Sequence, residues 1–177
     1  VVGHIGSGKT LACNRLEKFG YHMIRGSAVL KSLLGYAPND NIPRQVLQEQ
    51  GLAFISEPDG HERLAEGILA NMAANPSQRY VLDGLRYTES LLALKAKLDQ
   101  AVTVMYIESP LKNLLRYYNK RRDGDPISYE DFLKVVYHPV ELNTCRFYGI
   151  ANITVYNHGK LKSYKRALMD FFKSELE

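Results

Sequence analysis

The strongest chemical signal in the sequence is a glycine-rich run close to its first residue. Residues 3–10 (GHIGSGKT) match the pattern G-x-x-x-x-G-K-[S/T], in which backbone amides of a tight turn face inward and bind phosphate oxygens. The lysine of this pattern reaches the outer phosphates, and the final hydroxyl coordinates a magnesium ion that bridges them. The run predicts a nucleoside triphosphate site, and its contact residues would be Gly3, Gly6, Ser7, Gly8, Lys9 and Thr10.

The residues on either side of this phosphate loop support the same interpretation. Val1 and Val2 are typical of the end of a β-strand, and residues 11–18 have the apolar spacing of a helix. A strand, this loop and a helix form the context in which the pattern binds anions, because the helix amino terminus adds positive potential. We expect Lys9 to be catalytic and Thr10 to be a metal ligand.

A second segment, residues 80–86 (YVLDGLR), has the pattern of a buried strand that ends in a carboxylate. Asp83 would then lie beside the phosphate loop, where it can bind magnesium or accept a proton from the attacking group. A cap on the following helix is the alternative role for Asp83. Arg86 offers a guanidinium fork for phosphate oxygens of a substrate, and its alternative is a salt bridge to Glu89.

Short β-branched or aromatic runs alternate along the chain with stretches of helical spacing. The runs that predict strands are residues 21–24, 80–82, 102–107 and 153–156, and the clearest helical stripes are residues 64–72, 111–118 and 161–172. Buried strands joined by helices imply an α/β fold with three layers, in which helices flank a central parallel sheet of about five strands. The length of 177 residues suits a single domain.

Two stretches exceed a minimal alternation of strands and helices, at about residues 37–78 and 111–143. Ligands bind at the carboxyl ends of parallel strands, so we expect the first stretch to bind the phosphoryl acceptor and the second to form a lid. Arg44 stands at a helix start, where the helix dipole does not favour a cation, and Gln48 lies one turn later on the same face. Both are predicted to bind substrate, although a solvated Arg44 is the alternative.

The predicted lid carries the basic residues Lys112, Arg116, Lys120, Arg121 and Arg122. Such a cluster is stabilised when a polyphosphate lies against it, and a lid excludes water and brings an arginine to the transferring phosphoryl group. Arg116 and Arg121 are therefore the candidate catalytic arginines, and a solvated basic face is the alternative. Asn157 follows the last predicted strand, where it would contact the nucleotide base or form a tight turn.

Composition narrows the classes of function. The chain is 45% apolar and 24% charged, and its longest apolar run is far shorter than the roughly 20 residues that cross a bilayer, so no membrane partner is expected. A net charge of +4 suits anionic ligands without requiring nucleic acid. Cys13 and Cys145 lack zinc-site spacing, which indicates reduced thiols and a cytoplasmic location. The chain begins with Val1, without a signal peptide, so we interpret it as a trimmed domain with possible flanking domains.

Together these motifs resemble the nucleoside and nucleotide kinase branch of the phosphate-loop (P-loop) proteins. That branch includes adenylate kinase-like, dephospho-coenzyme A kinase-like and phage deoxynucleoside monophosphate kinase-like enzymes. Residues 82–88 (LDGLRYT) resemble the Asp-Gly-Phe-Pro-Arg-Thr segment of adenylate kinases with one residue fewer. Residues 44–51 are similar to an Arg-x-x-Leu/Met-Gln-x-x-Gly segment of the other two groups, and residues 155–160 resemble their closing strand and Asn-x-Gly turn.

The resemblance implies a three-layer P-loop NTPase fold in which Arg44 and Arg86 hold the acceptor, while residues 3–10 and the lid arginines hold ATP. The sequence thus predicts an ATP- and Mg²⁺-dependent kinase that acts on a small nucleotide-like acceptor, either a nucleoside monophosphate or dephospho-coenzyme A. Two alternatives remain open. One is a nucleotide-binding regulatory module of a larger protein, and the other is a kinase acting on nucleic-acid ends.

Overall fold

The computed structural model describes residues 1–37, 40–98, 101–120 and 126–176. Within these residues the strands are β1 (His22–Arg25), β2 (Tyr80–Asp83), β3 (Met105–Glu108) and β4 (Ile153–Tyr156). The helices are α1 (Lys9–Glu17), α2 (Gly26–Leu33), α3 (Arg44–Ile55), α4 (Gly60–Ala74), α5 (Thr88–Lys97), α6 (Leu111–Lys120), α7 (Tyr129–Val136), α8 (Pro139–Leu142) and α9 (Leu161–Leu176), with a 3-10 segment at Asn143–Ile150. In this described part of the chain, no helix combines the length and apolarity needed to cross a membrane.

The strands form two parallel pairs, β1 with β2 and β3 with β4. The first two residues lie between the pairs: the amino group of Val1 donates to Leu82 O of β2 (2.7 Å), and the N–H of Val2 donates to Met105 O of β3 (2.9 Å). Val2 forms an isolated parallel bridge with Tyr106. The α/β class is confirmed, but the sheet of about five strands is confirmed only as two pairs and this bridge, since a two-residue segment is too short to form a regular strand.

Helices pack against both faces of the strands. Alternate residues of a strand point to opposite faces, and accordingly Tyr106 joins one apolar cluster while its neighbours Met105 and Ile107 join another. The first cluster contains side chains of α2, α4 and α5, and the second contains side chains of α1 and α9. The strands therefore form a middle layer, which places their carboxyl ends and the following loops at one edge.

The strand predicted at residues 102–107 begins later, at Met105. The N–H of Val104 donates to the side-chain Oδ1 of Asn152 (2.8 Å). A side chain thus satisfies the backbone donor that would otherwise extend the pairing. All of Met105, Tyr106 and Ile107 are buried, as expected for a strand covered on both faces.

A third, smaller apolar cluster attaches α6 and α7 to the glycine-rich loop. It contains Ile5 of the loop, Leu114 of α6, and Phe132 and Val136 of α7. Phe132 is completely buried, and its ring lies 5.3 Å from that of Tyr118. The beginning of the stretch predicted as a lid is therefore packed directly against the loop that it was expected to cover.

Candidate active site

Residues 3–8 form a tight loop that leads into α1. Gly6 has a φ of +79°, and a Cβ atom there would lie 2.5 Å from the carbonyl oxygen of Leu114. Gly8, which precedes α1, has a φ of +105°, and its Cβ would lie 2.9 Å from the ring of Tyr164. Both positions need glycine for conformation and for space, and together they give the loop the curl that a phosphate-binding turn requires.

Lys9 begins α1, and its side chain folds back along this loop. The Nζ atom donates to the carbonyl oxygens of Gly3 and His4, at 2.7 Å in each case, and the residue is only 8% exposed. A phosphate oxygen carries a full charge and accepts a stronger hydrogen bond than a neutral carbonyl. Lys9 is therefore held beside the place where the predicted outer phosphates would lie.

Thr10 and Asp83, the two predicted magnesium ligands, are neighbours. Thr10 Oγ1 donates to Asp83 Oδ2 at 3.1 Å, which joins the first turn of α1 to the end of β2. Asp83 does not cap α5, since the residue preceding that helix is Tyr87. No group of three or more His, Cys, Asp or Glu residues in the described ranges could hold a metal alone. A magnesium ion here would take further oxygen ligands from phosphates and water, as this ion commonly does.

The side chain of Ser7 supplies a separate indication of a ligand. Ser7 is 1% exposed, and its Oγ has no hydrogen-bond partner among the residues that the structure describes. Buried hydroxyl groups are normally hydrogen-bonded, so this group is suited to donate to a phosphate oxygen. With the curled loop, Lys9 and the pair of Thr10 and Asp83, the residues present fit a nucleoside triphosphate with magnesium.

A cavity of about 240 Å³ lies beside the phosphate loop. All three residues predicted to bind substrate, Arg44, Gln48 and Arg86, line it. The predicted catalytic and metal-binding residues Lys9, Thr10 and Asp83 line it too. Apolar side chains complete part of the lining, among them Leu30, Leu47, Ile55 and Leu64. The fold thus brings two sets of anion-binding groups, distant in sequence, to one cavity.

Two of the arginines that line this cavity, Arg44 and Arg86, pair with Glu141, a residue that the sequence analysis did not single out. Arg44 Nη2 pairs with one carboxylate oxygen, and Arg86 Nη1 lies 2.5 Å from the other. Gln48 Nε2 is 3.4 Å from the oxygen that Arg44 contacts. The alternative pairing of Arg86 with Glu89 is wrong, because Glu89 pairs with Arg146 at 2.5 Å. A lone glutamate far from both arginines in sequence gives no local signal of this contact.

Solved structures with the same architecture were found by comparison. A shikimate kinase from Bacteroides thetaiotaomicron superposes with a TM-score of 0.61 over 98% of this chain and 94% of that chain, at 10% identity. The protein TT1252 from Thermus thermophilus superposes with a TM-score of 0.56 over the same shares of the two chains, at 19% identity. The chain has the fold of the P-loop kinases. At these identities the likeness concerns the P-loop kinase fold alone.

One curated relative was found by comparison of sequences. It is a nucleotide-binding protein from Burkholderia vietnamiensis, 28% identical over 128 residues, which are 72% of this chain and 33% of that protein. The chain therefore spans about a third of the length of the curated relative that it matches. No family model matches the chain.

The two predicted lid arginines of this P-loop kinase fold have different outcomes. Arg116 lies on the exposed side of α6, where its guanidinium stacks on the ring of Tyr117 at 4.7 Å and donates to the Tyr117 hydroxyl at 3.0 Å. These contacts hold Arg116 at the surface in the conformation described. Arg121 lies outside the described residues. The catalytic roles of both arginines stay predictions.

Asn157 lies beneath the phosphate loop and is 2% exposed. Its Nδ2 donates to Ser7 O at 2.8 Å. Its backbone carbonyl oxygen accepts hydrogen bonds from Ser109 Oγ (3.0 Å) and Asn113 Nδ2 (3.3 Å). Asn157 thus joins the end of β4 and the start of α6 to the loop, a support that sequence analysis missed. Its predicted contact with the nucleotide base stays a prediction.

The stability of the protein should depend on pH through His4 of the loop. Burial lowers the pKa of His4 below the ordinary value of 6.5; the nearby charge of Glu141 acts in the opposite direction, and those of Lys9 and Arg86 lower the pKa further. Below pH 6.5 the imidazole of His4 binds a proton more readily in the unfolded chain than in the folded chain. The free energy of unfolding therefore decreases as pH falls through this region and keeps its full value above it. Urea midpoints measured from about pH 7 to about pH 5.5 should fall in the wild type and fall less in His4→Asn. Equal slopes for the two proteins would contradict this assignment.

Proposed function

We propose that the protein is an ATP- and Mg²⁺-dependent kinase that transfers the terminal phosphoryl group to a small nucleotide-like acceptor. The observation that carries this proposal is the shared cavity, in which Lys9 of the phosphate loop and the arginine pair Arg44 and Arg86 line one space. A regulatory module that only binds a nucleotide has no need of a second set of anion-binding groups beside the first. A kinase needs both, because two phosphate-bearing substrates must meet there.

The residues of the cavity divide into two roles in this reaction. The loop amides and Lys9 would hold the donor phosphates and neutralise charge that builds up as the bond to the leaving ADP breaks. Thr10 and Asp83 would hold a magnesium ion, which supplies further charge neutralisation on the outer phosphates. Arg44 and Arg86 would orient the acceptor so that its attacking oxygen forms the new bond to phosphorus. Catalysis then depends on positioning and charge, which a rigid loop provides.

Within the proposed substrate class, a nucleoside monophosphate is the simplest acceptor that uses both the arginines and the apolar lining of the cavity. The cavity of about 240 Å³ combines arginines for a phosphate group with apolar side chains for a base. Leu30, Leu47 and Ile55 offer apolar contact for a base, and the Gln48 amide can both donate to and accept from a base edge.

We also propose that the chain is one P-loop kinase domain with an acceptor-binding stretch at residues 37–78 and a lid within residues 111–143. The end of the predicted lid would serve the acceptor side instead. Glu141 of α8 contacts the acceptor arginines, so α8 belongs with the acceptor side. Within the described residues, the lid would then consist of α6 and α7. The similarity to a shikimate kinase and to a nucleotide-binding protein supports the fold and the donor, but a fold does not determine the acceptor.

A coupled ADP-release assay tests the proposal. The protein is supplied with Mg²⁺-ATP and a panel of ribo- and deoxynucleoside monophosphates, nucleosides, shikimate, dephospho-coenzyme A and a 5′-hydroxyl oligonucleotide. We expect ADP release to depend on a nucleoside monophosphate. ATP binding without any acceptor-dependent release would favour the regulatory module, and release stimulated by the oligonucleotide, with steep salt dependence, would favour a kinase of nucleic-acid ends.

Replacing Arg86 by Ala should weaken use of the acceptor without weakening use of ATP. A charge-assisted hydrogen bond contributes about 1.5–3 kcal/mol, so we expect the acceptor KM to rise by about 10-fold to 100-fold while the ATP KM changes by less than about twofold. Steady-state kinetics with each substrate varied in turn measures the difference. Arg146→Ala is the matched control, because Arg146 is also ion-paired but does not line the cavity. An equal rise in both KM values for Arg86→Ala would contradict the assigned role.

A further inference from the structure

Glu141 is the only acidic side chain in the described ranges that is fully buried, with no solvent-accessible surface. It lies on the short helix α8 and lines the cavity that also contains Lys9. No role for this residue follows from the phosphate-loop pattern or from the donor side of the proposed reaction. A carboxylate is seldom buried without a partner, because its desolvation must be offset by charge and hydrogen bonds.

The charge state of Glu141 is set by its surroundings. Burial alone would raise the pKa of the carboxyl, but the positive charges of Arg86, Arg44 and Lys9 outweigh burial and hold the pKa below its ordinary value of 4.5. Glu141 is therefore ionised at neutral pH. One buried negative charge thus interacts with both acceptor arginines and with the lysine of the phosphate loop.

The geometry places the carboxylate behind the two arginines. The side chain of Glu141 is 0% exposed, whereas those of Arg44 and Arg86 are 40% and 23% exposed. The ion pairs use Nη2 of Arg44 and Nη1 of Arg86, which leaves other N–H donors of each planar guanidinium for a ligand. An anion that enters the cavity can therefore reach the guanidinium groups without displacing Glu141.

We propose that Glu141 is a positioning residue that holds Arg44 and Arg86 together as one fork for the phosphate group of the acceptor. Arg44 comes from the start of α3 and Arg86 from the loop after β2, so neither element alone fixes the distance between the two guanidinium groups. Without the carboxylate these like charges repel, and each long side chain regains rotamers that point to solvent. Ligand binding would then have to restore the lost order, which reduces affinity.

This inference rests on the proposed function for the identity of the acceptor, but the phosphate affinity of the fork can be measured without turnover. The phosphate loop is first saturated with Mg²⁺ and a non-hydrolysable ATP analogue, and inorganic phosphate is then titrated by calorimetry. The proteins are the wild type, Glu141→Gln, Glu141→Asp and, as the matched control, Glu89→Gln. Glu89 is also paired with an arginine, Arg146, but it does not line the cavity.

We expect Glu141→Gln to weaken phosphate binding by at least about tenfold, Glu141→Asp to recover part of the loss, and Glu89→Gln to bind as the wild type does. Affinity for the ATP analogue should differ from that of the wild type by less than about twofold in all three variants, which a general structural defect would not allow. Unchanged or tighter phosphate binding by a folded Glu141→Gln protein would overturn the proposal. Tighter binding would mean that the carboxylate competes with the ligand for the arginines.

Circular dichroism establishes whether Glu141→Gln is folded under the assay conditions. If it is not folded, Glu141→Asp decides the matter: weaker phosphate binding with unchanged affinity for the ATP analogue supports the fork, and affinities equal to those of the wild type overturn it. The two proposals fail separately. Acceptor-dependent turnover without any effect of Glu141 on phosphate affinity would overturn only the fork, whereas a fork that binds phosphate in a protein without turnover would overturn only the kinase.

Discussion

Replacing Lys9 by Ala should reduce phosphoryl transfer by at least about 10³-fold while leaving the protein folded. The ammonium group is already held at the loop by two carbonyl oxygens at 2.7 Å, so it needs little reorganisation to meet the outer phosphates. A preorganised charge of this kind stabilises the transition state more than it stabilises the bound substrate, so kcat should fall more than the KM for ATP rises. The lost hydrogen bonds should cost no more than about 2 kcal/mol of unfolding free energy.

The measurement for Lys9→Ala is the rate of ADP release at saturating Mg²⁺-ATP and acceptor, accompanied by a urea unfolding curve. Lys18→Ala is the matched control, because Lys18 directly follows α1 but is exposed at the surface. The control should retain the wild-type rate. A Lys9→Ala protein that transfers phosphate at the full rate would refute the proposed function.

Replacing Gly6 by Ala should have the largest effect on stability and should also abolish nucleotide binding. At a φ of +79° an alanine is strained by about 1–2 kcal/mol, and its Cβ would lie 2.5 Å from the carbonyl oxygen of Leu114. Leu114 is 2% exposed and belongs to the buried cluster that attaches α6 to the loop, so the helix backbone cannot yield without disturbing that packing. We expect a total loss of about 3 kcal/mol or more in the free energy of unfolding.

Gly20 provides a control that separates strain from collision. It has a φ of +85°, close to that of Gly6, but nothing lies within 4 Å of a Cβ built there. Gly20→Ala should therefore cost only about 1–2 kcal/mol, and it should bind a fluorescent ATP analogue normally. Urea unfolding of both variants isolates the contribution of the contact with α6. Equal losses for the two would show that α6 is not packed on the loop in solution.

Local patterns in the sequence predicted most of the elements that support the site. The strand predicted at residues 153–156 is observed as Ile153–Tyr156, and the helix expected to begin at Arg44 begins there. Hydrophobic spacing suffices for such elements because it reflects which side of each one is buried. It failed at the start of the strand predicted at residues 102–107. That strand begins three residues later, at Met105, and the N–H of Val104 is bonded to the side chain of Asn152. The sheet of about five strands is confirmed only as two pairs joined by the backbone bonds of Val1 and Val2, since pairing depends on how segments meet in space.

The candidate site also has one part that the sequence predicted and another that it did not. The sequence by itself determined the phosphate loop, because its function depends on neighbouring residues: glycines with a positive φ, such as Gly6 and Gly8, followed directly by Lys9 and Thr10 at a helix start. It also indicated Asp83, Arg44 and Arg86 as candidates from their positions at strand and helix ends.

Only the tertiary structure decided how these candidates are joined. Glu141 is separated from Arg44 by 97 positions and from Arg86 by 55, and no periodicity connects residues so far apart. Asn157 likewise bonds to Ser7 across 150 positions. Such contacts form because a buried carboxylate or amide needs partners once the helices close over it, and the partners are whichever groups the packed elements bring within reach.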